Sequence, residues 1–168
     1  MNFNWKRMES SDYDIVDKWD SEDIREFITI DNAFSISEFY VMFGFYDNRT
    51  SYKALDEDGN IIGIILYDNC DYKDVPSRQF NLQLFIVNPE FVNKGYGTRM
   101  LQDIIEKFKD EADIFRIESE KNNYACQRIC EKNGFARNKF KERISNYIQY
   151  ELNLKKLDKQ EIKSKKRK

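Results

Sequence analysis

Gly95 and Gly97 stand one residue apart where an apolar run ends and a helical pattern begins, in Phe85-Ile86-Val87-Asn88-Pro89-Glu90-Phe91-Val92-Asn93-Lys94-Gly95-Tyr96-Gly97-Thr98-Arg99-Met100-Leu101. Glycines let the loop turn and expose several N–H groups. The first turn of the following helix adds donors without intrahelical partners and the positive end of the helix dipole. Together they form a cradle for a diphosphate. A plain structural turn also uses glycine, so the surrounding elements must decide. Two other phosphate loops do not fit: a dinucleotide-binding turn needs a third small residue where Met100 stands, and a P-loop needs Gly-Lys-Ser/Thr. The chain has no histidine, which excludes Ser-His-Asp and Cys-His catalysis and most zinc enzymes. Cys70, Cys126 and Cys130 are an odd set without zinc spacing. They read as reduced thiols of a cytoplasmic protein, with no metal expected.

The elements that position this loop follow from periodicity and punctuation. Residues 3–7 alternate and form a first strand. Ser11 caps a helix with Ile15 and Trp19 on one face, and Ser21 caps a second carrying Ile24, Phe27 and Ile28. Ser35 and Glu38 form a capping box for a short third helix. Residues 51–55, a turn at 56–60 and residues 61–67 make a hairpin. A polar loop through Pro76 leads to a strand over about 81–87. After Gly97, Leu101, Ile104, Ile105 and Phe108 line one face of a helix. Residues 113–118 form another strand. Asn123 opens a helix with Cys126, Ile129 and Cys130 inward, ended by Gly134 in the left-handed cap position. Residues 135–140 and 144–152 close the domain as two strands.

Composition fits one domain. A chain of 168 residues buries roughly two-thirds of its unfolded surface. Residues 1–154 read as a single folded unit and 155–168 as a basic, flexible tail, with eight basic residues against two acidic. The longest apolar run, 61–67, is too short to span a bilayer, and the N-terminus lacks the apolar core of a signal peptide. Residues 9–31 are the acidic extreme, with nine carboxylates against Lys18 and Arg25. The tail could bind nucleic acid, but the acidic body argues against that.

The element order and two segments resemble the GNAT superfamily of acetyl-CoA-dependent N-acetyltransferases. The first segment runs from Val87-x-Pro89 through Gly95-Tyr96-Gly97-Thr98 and resembles the family's pyrophosphate loop. The second, Asn123-Tyr124-Ala125-Cys126-Gln127-Arg128-Ile129-Cys130-Glu131-Lys132-Asn133-Gly134-Phe135, is similar to its second cofactor helix. Its spacing is most like the branch that acetylates ribosomal-protein N-termini and some aminoglycosides. The resemblance implies an α/β (α+β) fold: a mixed, mostly antiparallel central sheet of six to seven strands with helices on both faces. It implies acetyl-CoA as co-substrate, with pantetheine beside Phe85, Ile86 and Val87. The pyrophosphate would take N–H groups from Asn93, Lys94, Gly95, Tyr96, Gly97 and Thr98. Val92 completes that loop where relatives carry Gln or Arg, so one side-chain contact to phosphate is missing. Asn123 would bond the pantetheine arm or cap its own helix.

The resemblance also implies the chemistry, direct attack of an amine on a thioester in a ternary complex. Amines near pKa 10 are mostly protonated at neutral pH, so a base helps. Glu118 matches the base glutamate of the N-terminal acetyltransferases, acting through water. The position used by histone-type relatives falls on Asn81, which cannot take a proton, and Gln83 cannot either. Cys130 stands where relatives present an acidic tyrosine; it is either that acid or a small core residue. Tyr124, Tyr147 and Tyr150 are substitutes. The acidic stretch would attract a cationic acceptor, a small molecule or a peptide. A monomer or homodimer is expected. A catalytically weak acyl-CoA-binding regulatory module of the same fold is the alternative.

Overall fold

The computed structural model describes residues 3–19, 49–70, 77–144 and 146–155. Seven strands form one sheet in the order β1-β2-β3-β4-β5-β7-β6. They are β1 Asn4–Arg7, β2 Arg49–Leu55, β3 Ile61–Cys70, β4 Gln79–Val87, β5 Ile114–Glu120, β6 Ala136–Arg137 and β7 Tyr147–Asn153. Among the described residues four α-helices accompany them: α1 Tyr13–Val16, α2 Tyr96–Phe108, α3 Tyr124–Lys132 and α4 Lys139–Ile144. Every neighbouring pair is antiparallel except β4 and β5. A parallel pair needs a crossover, and α2 supplies it. The mixed, mostly antiparallel sheet with helices on both faces is therefore present.

The apolar run of β3 explains its central place. Ile64 and Leu66 pack with Val16 and Trp19 on one face, whereas Ile65 and Tyr67 meet Leu101, Ile104 and Phe108 on the other. A strand buried on both faces reads as a continuous hydrophobic run. Gly63 is required by contact. A Cβ there would lie 2.5 Å from the Ile86 carbonyl oxygen and 2.6 Å from Met100 Cε. The hairpin turn is held by Asp56, whose carboxylate accepts from the Asp58 and Asn60 N–H groups at 3.0 and 2.8 Å.

Two expectations are corrected. Ser11 does not cap α1. Glu9 and Asp12 form a reciprocal capping box, and Asp12 is fixed by Lys53 at 2.6 Å. Short 3₁₀ turns at Ser10–Asp12 and Asp17–Trp19 shift the phase, so Val16 is buried while Ile15 is 44% exposed. Residues 135–140 also do not form a strand. Only Ala136 and Arg137 pair with β7, and α4 follows. Asn138 ends the ladder, its Nδ2 donating to Gln149 Oε1 and Glu151 Oε1. The helices expected after Ser21 and Ser35, and the loop before Pro76, lie outside the described residues.

Below the sheet's other end, Asp113 accepts from the Arg78 N–H at 2.9 Å and pairs with Lys155 at 2.9 Å. The first residue assigned to the tail is thus docked on the domain; the remainder lies outside the described residues. The Arg78 backbone donor, then the Lys155 ammonium, hold the Asp113 carboxyl down to about 2. A depressed folded-state value means stability present above the unfolded value is lost as pH falls through the folded one. The melting temperature should therefore drop between about pH 4 and pH 2, and Asp113→Asn should flatten that part of the profile. A slope there unchanged in the variant would exclude Asp113 as its source.

Candidate active site

The parallel pair opens into a cleft. β4 and β5 pair from Gln79 with Ile114 to Leu82 with Ile117 and no further. Beyond that, β4 continues to pair only with β3, and β5 only with β7. The cleft side of residues 83–87 therefore carries strand-edge N–H and C=O groups free to pair with an extended ligand. The divergence begins at a β-bulge: Leu66 pairs with Leu84 and Tyr67 with Leu82, so Gln83 is the extra residue. An extra residue bends its strand, which is how β4 turns away from β5. Helices α2 and α3 follow directly on the diverging ends of β4 and β5.

The loop from β4 to α2 is locally built. Asn88 anchors it to β3, with its N–H to the Ile62 carbonyl at 2.8 Å and its Nδ2 to the Ile61 carbonyl at 2.9 Å. Its Oδ1 accepts from the Glu90 N–H, starting a 3₁₀ turn over Pro89–Phe91. Asn93 and Gly95 adopt left-handed conformations at φ 60° and 82°, the backbone from which anion-binding concavities are made. Gly95 caps α2 without a side chain, and its Arg99 N–H is bonded to the Gly95 carbonyl. The donors before it, at 96–98, have no intrahelical partner. Lys94 turns back, its ammonium donating to the Glu90 carbonyl at 2.8 Å and lying 5.6 Å from the Phe91 ring centre. Val92 is 47% exposed.

The two glycines serve different ends. A Cβ on Gly95 would meet nothing within 4 Å, so its need is conformational. At Gly97 a Cβ would lie 2.8 Å from Ile129 Cδ1 and 3.3 Å from Val87 Cγ2. Its missing side chain lets α2, α3 and β4 close together, while its N–H remains a first-turn donor. Asn133 reinforces the junction, donating to the Ile129 carbonyl at 2.8 Å and the Thr98 carbonyl at 3.4 Å.

Asn123 caps α3, its Oδ1 accepting from the Cys126 N–H at 2.9 Å. That leaves its Nδ2 to donate elsewhere. Cys130 is fully buried in the main core. Its thiol is hydrogen-bonded to Cys126, and that bond together with burial pushes it up and keeps it protonated. The bond from Cys130, aided by Ser119 and opposed by burial, lowers Cys126. Tyr150 is also spoken for, accepting from Arg137 Nε at 3.1 Å and donating to Glu131 at 3.3 Å.

The α1 side of the cleft mouth is polar. Glu118 is the first β5 residue past the shared ladder, exposed, and accepts from Gln149 Nε2 at 2.9 Å. Arg116 does not pair with it: Nε goes to Glu151 at 3.0 Å and Nη1 to Gln79 at 2.6 Å. Among the described residues Glu118 has no ion pair. Across the opening, Asn81 and Gln83 both donate to Asp68. Sequence reasoning did not find Asp68 or Gln149. Their signal is cross-strand register: Gln149 stands opposite Glu118 in the β5–β7 ladder, and Asp68 opposite Asn81 beyond the bulge of the β3–β4 ladder.

The glycine-capped start of α2, the open strand edge and the diverging parallel pair thus bring unpaired backbone donors and acceptors to one opening. No curated protein sequence matches the chain. Among solved structures, a Methanocaldococcus jannaschii domain has TM-score 0.71 at 16% identity, covering 91% of this chain and 99% of that one. Spermidine N-acetyltransferase from Vibrio cholerae, in complex with CoA and spermine, has TM-score 0.70 at 13% identity, covering 90% and 95%. The ribosomal-protein-S18-alanine N-acetyltransferase of Escherichia coli has TM-score 0.63 at 12% identity, covering 90% and 94%. At such identities these likenesses establish the fold. A sequence-family profile described as "Acetyltransferase (GNAT) family" matches residues 13–135. The chain belongs to the acetyltransferase (GNAT) family.

Proposed function

We propose that the protein moves an acetyl group from acetyl-CoA to a primary amine by direct attack in a ternary complex. The observation that carries this reading is the parting of β4 from β5 beyond Leu82 and Ile117, beside the glycine-capped start of α2. Acetyl-CoA, when bound, supplies an activated thioester carbonyl and a thiolate leaving group. The edge formed by Phe85, Ile86 and Val87 holds the pantetheine amides, with Asn123 Nδ2 as an added donor. The N–H groups around residues 93–98 hold the pyrophosphate, and the Thr98 hydroxyl assists. Glu118 receives the amine proton through water. Burial of Cys130 favours its core role, so we assign the leaving-group proton to the attacking amine or to solvent. Two of the three neighbours are named for acetylating spermidine and a ribosomal-protein alanine, acceptors that share a primary amine. Within the acidic N-terminal stretch Asp12 is consumed by Lys53, so attraction for a cationic acceptor rests on the remaining carboxylates.

Calorimetry should show one acetyl-CoA bound per chain with micromolar affinity, about −8 kcal/mol. Free thiol should then appear with an acceptor among polyamines, aminoglycosides and N-terminal peptides. Binding without thiol release from any acceptor would favour the regulatory-module alternative. Absence of acetyl-CoA binding would overturn both.

A further inference from the structure

Resting on the amine-acetylating reading, we infer that Asp68 is a positioning residue for the acceptor, turning the side-chain carbonyls of Asn81 and Gln83 toward the cleft as a paired acceptor for a primary amine. Asp68 is 5% exposed and stands opposite Asn81 in the β3–β4 ladder. Asn81 Nδ2 donates to its Oδ1 at 2.7 Å and Gln83 Nε2 to its Oδ2 at 2.6 Å. A carboxylate only accepts, so each planar amide must present its NH₂ to Asp68. Such charge-assisted bonds hold the amides in one of their two flips. The Oδ1 of Asn81 and Oε1 of Gln83 then face away from Asp68. Among the described residues no donor is bonded to either oxygen.

Gln83 sits at the bulge where β4 leaves β5, and Glu118 sits at the matching point on β5. Leu82 and Ile117 are paired on the core face, so Gln83 and Glu118 are the next residues on the opposite face, one on each side of the opening. The only described cation beside them, Arg116, is engaged by Gln79 and Glu151. The mouth of the cleft therefore offers two carbonyl oxygens to which no donor is bonded among the described residues, and a carboxylate whose one described donor is the neutral amide of Gln149. A primary amine or its ammonium brings two or three N–H donors; a tertiary amine brings at most one. The paired oxygens thus match an amine that brings at least two N–H donors to the point of attack, as a primary amine does in either protonation state.

The test is calorimetric titration of the CoA-saturated protein with spermidine and with a peptide bearing an N-terminal alanine. The wild type should bind at least one. Asp68→Asn, which can orient only one of the two amides, should weaken that binding about tenfold or more, a difference of about 1.4 kcal/mol, with the acetyl-CoA dissociation constant unchanged. Gln83→Met alters an exposed side chain, keeps the fold, and should weaken amine binding similarly. The double variant should lose no more than the larger single effect, as expected for residues acting as a unit. A merely structural Asp68 would move melting temperature and cofactor affinity together and leave Gln83→Met like the wild type. Equal amine affinity in all variants, or no amine binding by the wild type, overturns the inference. Amine binding without thiol release would instead overturn the catalytic reading and leave this one standing.

Discussion

Replacing Glu118 by Gln is expected to lower kcat/KM for the amine by about 10²–10⁴-fold while acetyl-CoA affinity persists. That loss corresponds to about 2.7–5.5 kcal/mol of transition-state stabilisation. Glu118 lies at the mouth of the cleft, exposed and without an ion pair among the described residues, its one described partner being the neutral amide of Gln149. Glutamine preserves that contact and the side-chain volume, so the change removes proton-accepting capacity and little else. The groups proposed to hold cofactor belong to β4, to the loop and first turn of α2 and to Asn123, not to the Glu118 carboxylate. The pH dependence separates a base from a binding group. If Glu118 takes the amine proton, the deficit must shrink as pH rises and more amine is already neutral. A deficit constant with pH would assign Glu118 to binding, and wild-type activity in the glutamine variant would leave proton release to solvent, with the enzyme contributing mainly positioning.

The parts of the fold readable in the sequence are those whose signal is local. The two glycines of the loop, the periodic face of α2, the cap at Asn123 and the left-handed Gly134 each sit within a few residues of what they determine. The hairpin joining β2 to β3 is announced by its Asp-Glu-Asp-Gly-Asn turn. Where the signal was local but ambiguous, tertiary contacts decided. Phe135 and Phe140 suggest an alternating strand, yet Asn138 bonds across to β7 and ends the ladder, leaving Phe140 71% exposed on α4. Ser11 is a good capping residue by type, but it lies inside a 3₁₀ turn closed by Glu9 and the buried Asp12, which Lys53 holds in place.

The candidate site divides in the same way. The glycine-capped start of α2, proposed as the phosphate cradle, was legible as a loop and helix start because glycine spacing and a helical pattern are written in consecutive residues. The purpose of Gly97 was not, since the atoms that forbid a side chain there belong to Ile129 and Val87, on two other elements. The group formed by Asp68, Asn81 and Gln83 joins residues 13 and 15 apart across a bulged ladder. In sequence it looks like three unrelated polar residues.

Removing the cation at residue 53 should produce a large loss of stability. Lys53 Nζ lies 2.6 and 2.7 Å from the two carboxylate oxygens of Asp12, and the side chains are only 11% and 7% exposed. Asp12 also accepts the Glu9 N–H at 2.8 Å, so one carboxylate both closes the N-terminal turn and ties it to β2. Behind that tie, Val16 and Trp19 pack on Ile64, Leu66 and Ile86. Breaking a buried pair from one side leaves the other charge without compensation and costs about 3–5 kcal/mol. For a chain of this size each kcal/mol shifts the melting temperature by about 2–4 °C. Lys53→Met should therefore lower it by roughly 6–20 °C. The decisive comparison is with Lys53→Met combined with Asp12→Leu. Replacing both charges by apolar groups removes the stranded carboxylate, so the double variant should recover much of the loss even though the interaction is gone. Recovery would show that desolvation of an orphaned charge dominates. A double variant as unstable as the sum of its parts would show instead that the Asp12 cap on Glu9 holds the turn, with Lys53 contributing little beyond it.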